Sequence, residues 1–183
     1  MTAFRLDEAL AILERTPATL GALLGGLSEP WTTATEGPDT WSPVDVVGHL
    51  IDGEDTDWMT RTRIILAGGP EPHFEPFHRS WQQERTRGKT LDVLLEEFSV
   101  RRRENVVTLR SFGLTPEQLR MTGIHPEFGL VTLEEMLATW VAHDLDHLMQ
   151  IARVMARRYT EAVGPWRRYL RVINSLADNE SGR

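Results

Sequence analysis

Thr139-Trp-Val-Ala-His-Asp-Leu-Asp-His-Leu-Met-Gln-Ile151 is the stretch whose reading decides the fold. It sits inside a helical pattern running from Thr132 to about Tyr159. Thr132 and Glu135 have the spacing of a capping box, in which the hydroxyl accepts the third amide and the carboxylate returns to the first. No Pro or Gly interrupts the two dozen residues that follow, so the helix would reach roughly 40 Å, the height of a bundle. Leu133, Met136, Leu137, Trp140, His147, Leu148, Ile151 and Val154 recur at steps of three and four and mark its buried stripe. His143 and His147 are one turn apart and share a face. Two readings of that pair stand side by side. The imidazoles are core residues bonded to neighbouring polar groups, or they are two ligands of one divalent metal, which their spacing aims at a common point.

Composition bounds the rest. With 183 residues, 40% of them hydrophobic and 26% charged, the chain suits one well-packed domain, taken as residues 1–175 with a polar tail at 176–183. A net charge of −7 speaks against nucleic acid as a partner. The arginines at 101–103 and 157–158 are expected on solvated helix faces. There is no cysteine, which excludes disulfides, thiolate metal sites and a cysteine nucleophile. The first residues lack the pattern of a signal peptide, and no apolar run has the length of a membrane span. A cytoplasmic protein without a membrane partner is expected.

Upstream, Phe4 to about Leu24 reads as a first helix, bent near Pro17, and Trp31 to Asp39 as a loop. Trp41-Ser-Pro-Val-Asp45 is a strong helix start, with Ser42 as N-cap and Asp45 closing the box. The second helix is expected from Pro43 to about Ala67, with Val46, His49, Leu50, Gly53 and Asp57 on one stripe and an acidic group at Asp52, Glu54, Asp55 and Asp57. A Gly/Pro-rich loop, Gly68 to Ser80, follows. A third helix spans Leu91 to about Phe112, a short helical turn starts at Thr115, and Arg120 to Val131 reads as a loop. Past Tyr159, a short helix is expected over Trp166 to Ile173. No strand pattern stands out. The fold class is all-α, a four-helix bundle with long connections.

If the second and fourth helices pack side by side, His49 joins His143 and His147. Three neutral imidazoles leave coordination positions open, the arrangement of a catalytic metal that activates a bound water or thiol. Zinc is the default for nitrogen ligands, with nickel and iron as alternatives. Asp144, Asp146 and the acids after His49 are candidates for orienting the imidazoles. The two aspartates point away from the shared histidine direction and are expected at the surface. Trp58, Phe74, His78 and Trp81 are candidates for the wall of a small-molecule pocket. Glu75 and His78 have the spacing of a di-iron motif, but the intervening Pro denies them a helix.

Trp41-Ser-Pro-Val-Asp-Val-Val-Gly-His49-Leu50, followed about ninety residues later by His143-Asp-Leu-Asp-His147-Leu-Met-Gln150-Ile, resembles the DinB-like family. The resemblance implies a four-helix bundle, a homodimer and a divalent metal held at the positions of His49, His143 and His147. Gln150 falls on a recurrent position with a packing or hydrogen-bonding role. Family members include transferases and isomerases that use a low-molecular-weight thiol such as bacillithiol or mycothiol, so thiol S-transfer to a small-molecule electrophile is the activity it implies. Some members carry glutamate where this chain has His143. The alternatives are a metal-dependent hydrolase, in which His143-Asp144 is an HD dyad and Asp144 a ligand, and a non-catalytic dimerising bundle stabilised by its metal. Metalloprotease chemistry of the HExxH type is disfavoured, because Asp144 stands where that motif has Glu.

Overall fold

The computed structural model describes residues 4–70, 72–76 and 85–174. His78, Trp81 and the expected tail at 176–183 lie outside them. Helix α1 (Leu6–Leu13) and α2 (Thr16–Leu24) take the place of the single bent helix. A turn, α3 (Glu29–Thr32), occupies part of the expected loop. The second long helix runs as α4 (Pro43–Asp52), a π-helical turn (Gly53–Asp57) and α5 (Trp58–Ala67). Then come α6 (Leu91–Ser111), the short α7 (Pro116–Leu119), α8 (Leu133–Arg157), a 3₁₀ turn (Gly164–Tyr169) and α9 (Arg171–Asn174). The α1–α2 unit packs on α6 and α8, and so does the α4–α5 unit. Helices two and four are therefore neighbours in a four-helix bundle.

The residues expected to form a loop at 120–131 instead form a hairpin. β1 (Thr122–His125) pairs antiparallel with β2 (Gly129–Thr132), from Thr122 opposite Thr132 to His125 opposite Gly129. Four-residue strands give too little alternation to stand out in a sequence. The hairpin has a second partner in the Gly/Pro-rich loop. Phe74 N–H donates to Ile124 C=O at 3.0 Å, and Ile124 N–H to Pro72 C=O at 2.8 Å. This seats the Phe74 ring in the core, where a Cβ on Gly123 would lie 2.4 Å from it. Gly123 is there because nothing larger fits under that ring.

The π-helical turn corrects the expected stripe of the second helix. Its wider winding takes up one extra residue, so the buried place falls to Trp58 instead of Asp57. Trp58 is buried, while Asp57 pairs with Arg61 at 3.0 Å near the surface. The turn also sends Glu54 inward.

The core is two apolar clusters. One holds Leu10, Leu13, Trp58, Met59, Ile65, Phe74, Val106, Leu109, Leu133, Met136, Leu137 and Trp140. The other holds Leu20, Leu24, Val46, Val47, Leu50, Ile51, Leu94, Phe98 and Ile151. On each helix the change from one cluster to the other falls at a polar residue: Glu54, Arg102 and Asp144. Arg102 was expected in solvent and Asp144 at the surface, but both are buried, at 1% and 0% exposure. Arg102 pairs with Asp144 through both nitrogens and both oxygens, and with Glu54 at 2.7 Å. Asn105 donates to Glu54 at 2.9 Å. Mutual satisfaction makes such burial tolerable. Burial pushes the Glu54 carboxyl up, with the Arg102 charge pulling against it. For Arg102 burial works to lower the pKa, and the two carboxylates outweigh it.

Two outcomes follow. Arg102→Met strands two buried carboxylates and should cost about 3–5 kcal/mol in urea unfolding, with much of the loss recovered when Glu54→Gln and Asp144→Asn are added. Gly123→Ala should cost about 1–3 kcal/mol by overpacking, and less in a Phe74→Leu background. Equal costs in the two backgrounds would mean that the ring is not what constrains Gly123.

Candidate metal centre

The start of α4 sets the first histidine. Ser42 N–H donates to Asp45 Oδ2 at 2.9 Å, and Asp45 N–H to Ser42 Oγ at 3.2 Å, the capping box with Pro43 in the first turn. This fixes the phase of α4 and turns His49 toward α8. The same device starts α8: Thr132 N–H donates to Glu135 Oε2 at 2.8 Å and Glu135 N–H to Thr132 Oγ1 at 3.1 Å. From that start His143 and His147 fall on the side facing α4.

The three rings meet edge to edge. His49 Nε2 lies 2.9 Å from His143 Nε2, and His147 Nε2 lies 3.1 Å from His143 Nε2. All three ligand atoms are within 4.8 Å of one another. Among the described residues this is the group of three or more His, Cys, Asp or Glu side chains that could hold a metal ion. A proton on His143 Nε2 can serve one neighbour only, so protein hydrogen bonding alone leaves lone pairs opposed. A cation between the rings satisfies all three. Three nitrogens at about 2.0–2.1 Å from one zinc in tetrahedral geometry stand roughly 3.3 Å apart, close to the spacing found. The residues fit a divalent ion.

The surroundings hold the His143 and His147 imidazoles neutral and oriented. Burial, followed by the neighbouring His147, His49 and Arg102 charges, lowers the His143 pKa to about 2. Burial also lowers that of His147, against Gln150, Asp146 and Asp144, which raise it. Neutral rings are the form that donates a lone pair to a metal. His147 Nδ1 is 2.8 Å from Gln150 Oε1. An amide oxygen only accepts, so the proton sits on Nδ1 and the Nε2 lone pair faces the cluster. Trp58 meets the His143 ring edge-on at 5.2 Å and stacks on Trp140 at 5.5 Å. Trp41 covers the other side, 4.8 Å from the His49 ring and 6.1 Å from that of His147. His147 is buried, whereas His49 and His143 are only half-buried, so the cluster is not sealed.

Several sequence candidates go elsewhere. Both Asp144 oxygens are taken by Arg102, so Asp144 is not among the converging ligands and the HD arrangement is not built. Asp146 is exposed. Among the acids after His49, Asp52 pairs with Arg85, Glu54 with Arg102, Asp55 with Arg101 and Asp57 with Arg61. Phe74 packs under the hairpin beside Ile65. Trp41 was not among the pocket candidates. Its place one residue before the N-cap, about two turns from His49, was the available signal.

No curated protein matches the chain. Among solved structures, YfiT from Bacillus subtilis is similar at 21% identity and a TM-score of 0.72, covering 83% of this chain and 86% of its own. That protein is described as "a probable metal-dependent hydrolase with an unusual four-helix bundle topology". At this identity the likeness establishes the fold, and it agrees with the bundle described above. The sequence model of the DinB superfamily matches residues 12–151, a span that takes in all three histidines and most of the bundle. The chain belongs to the DinB superfamily.

Proposed function

We propose that His49, His143 and His147 hold a divalent metal ion and that the chain is a metal-dependent enzyme acting on a small molecule, with hydrolysis as its reaction. The observation that carries this reading is the convergence of three Nε2 atoms from two helices on one point. A divalent ion with three neutral imidazole ligands keeps a position open, where it lowers the pKa of a water or thiol and polarises a carbonyl. Zinc is the first expectation for an all-nitrogen set, with nickel and iron as alternatives.

The chain's own residues do the rest. Burial keeps the His143 and His147 imidazoles unprotonated at neutral pH, so protons do not compete for their lone pairs. Gln150 fixes the His147 ring, and Trp58 wedges that of His143. Trp41 gives the half-open side an apolar wall that excludes water and offers a flat surface to a substrate. Access through His49 and His143 favours an enzyme over a sealed structural metal. The description of YfiT as a hydrolase supports water as the nucleophile. A second reading, S-transfer from a low-molecular-weight thiol such as bacillithiol or mycothiol, is favoured by the resemblance in the segments around His49 and His143.

Elemental analysis of the purified chain should find about one divalent ion per chain, and His49→Ala and His147→Ala should each abolish it. Wild-type protein that takes up no metal on reconstitution with zinc, nickel or iron would sink the reading. Activity against ester, amide and phosphoester panels, with and without added thiol, separates the two chemistries: turnover without thiol supports hydrolysis, and turnover only with thiol supports transfer. Gln150→Leu should keep the fold and weaken metal binding by about 10–100-fold, measured by competition with a chromophoric chelator.

A further inference from the structure

The end of α8 and the turn after it differ in charge from the rest of the chain. From Arg153 to Arg171 there are six arginines against one acid, Glu161, a net +5 in a chain whose total is −7. Three of the six are engaged nearby. Arg153 and Arg157 pair with Glu36 at 2.7 and 3.1 Å, and Arg158 lies over the Trp31 ring at 4.8 Å. Arg167, Arg168 and Arg171 are exposed, and none of them pairs with a carboxylate among the described residues. The 3₁₀ turn sets Trp166 and Tyr169 among them, 69% and 63% exposed. This is not a frayed end. Gly164 opens the turn at a left-handed φ of 53°, Pro165 follows, and Asn174 Nδ2 donates to the Arg167 carbonyl at 2.9 Å. Ile173 is buried where α9 packs on α8. A fixed backbone therefore holds two large rings and three unpaired guanidinium groups in solvent.

We propose that this turn is the docking surface for an anionic lipid bilayer, met at the level of the headgroups. Trp and Tyr favour a membrane–water interface because each joins a flat apolar body to one polar group. Arginines beside them meet lipid phosphates, and each contributes about fivefold to the affinity for an anionic surface. The acidic remainder of the chain is repelled by the same surface, so only this end is drawn to it. The ring geometry selects a bilayer over a nucleic-acid strand. The Trp166 and Tyr169 centroids are 6.3 Å apart with planes tilted by 49°, which leaves no slot for a base between them. One Tyr169 face is covered by the Arg168 guanidinium at 4.6 Å, and the same arginine donates to the Tyr169 hydroxyl at 2.6 Å. Base stacking needs such faces free, whereas insertion among headgroups does not. No helix among the described residues is long and apolar enough to cross a membrane. The expectation of no membrane partner rested on that lack of a span, which peripheral contact does not require. The surface does not depend on the metal or on the reaction.

Co-sedimentation of the full chain with phosphatidylcholine vesicles, with and without phosphatidylglycerol, tests this. The chain should pellet with the phosphatidylglycerol vesicles and not with the neutral ones, and high salt should release it. Arg167→Ala combined with Arg168→Ala should weaken the partition about 25-fold, with helical circular dichroism unchanged. Tryptophan emission should shift to the blue on addition of the anionic vesicles. Trp166→Phe should abolish that shift, although the other tryptophans remain. No pelleting with the anionic vesicles, equal pelleting with the neutral ones, or undiminished pelleting of the double arginine variant would overturn the proposal. So would a labelled single-stranded oligonucleotide that binds the wild-type chain and displaces it from the vesicles.

Discussion

A single buried guanidinium ties the bundle together. In an unbroken helix the Leu13 carbonyl would accept from the amide four residues on, but that residue is Pro17, which has no N–H. Arg102 supplies the missing donor, with Nη1 3.0 Å from the Leu13 oxygen. The rest of its fork is spent on Asp144 from α8 and Glu54 from the π-helical turn. The break in the first helix, the wide turn in the second, an arginine on the third and an aspartate on the fourth thus answer one another. Each alone would be a defect: an orphan carbonyl, a strained turn, or an unpaired charge in the core. Together they form a satisfied polar layer between two apolar clusters, and such a layer fixes how the four helices are staggered.

That stagger is what the histidine cluster needs. His143 and Asp144 are adjacent on α8, so one faces the open side of the bundle while the other locks into its interior. A shift of α8 by one turn would move both, separating His143 from His49 and Asp144 from Arg102 in the same step. The burial that keeps His143 neutral is reinforced by the Arg102 charge, and the Asp144 charge acts on His147 in the opposite sense. Fold stability and the chemistry of the histidine cluster therefore share residues.

The fold and the three histidines were legible in the sequence because each rests on local signals: capping boxes at Ser42 and Thr132, helical periodicity, and a histidine pair one turn apart. The buried network was not legible. Arg102 sits within Arg101-Arg102-Arg103, where composition suggests a solvated face, and no local rule separates the one arginine that faces inward. Asp144 misled for a related reason, since it lies off the histidine direction, and off that direction can mean solvent or a different part of the core. Only the partners on other helices decide. The hairpin was missed because its strands are four residues long and derive their order from Pro72 to Phe74, some fifty residues away in the chain.

The π-helical turn shows how a small local departure completes the site. His49 and Trp58 are nine residues apart, and at about 100° per residue an uninterrupted α-helix would set them on opposite sides. Winding in one extra residue at Gly53–Asp57 removes roughly one residue's rotation, leaving the two within about 80° of each other. Both then reach His143, one by its Nε2 atom and the other by its ring edge. Gly53 permits this because a Cβ there would press on the Trp58 indole nitrogen at 3.0 Å. The same turn delivers Glu54 to Arg102. One inserted residue therefore serves the histidine cluster on one side and the ion network on the other, which explains why the second helix is not a plain α-helix despite its strong start and unbroken pattern.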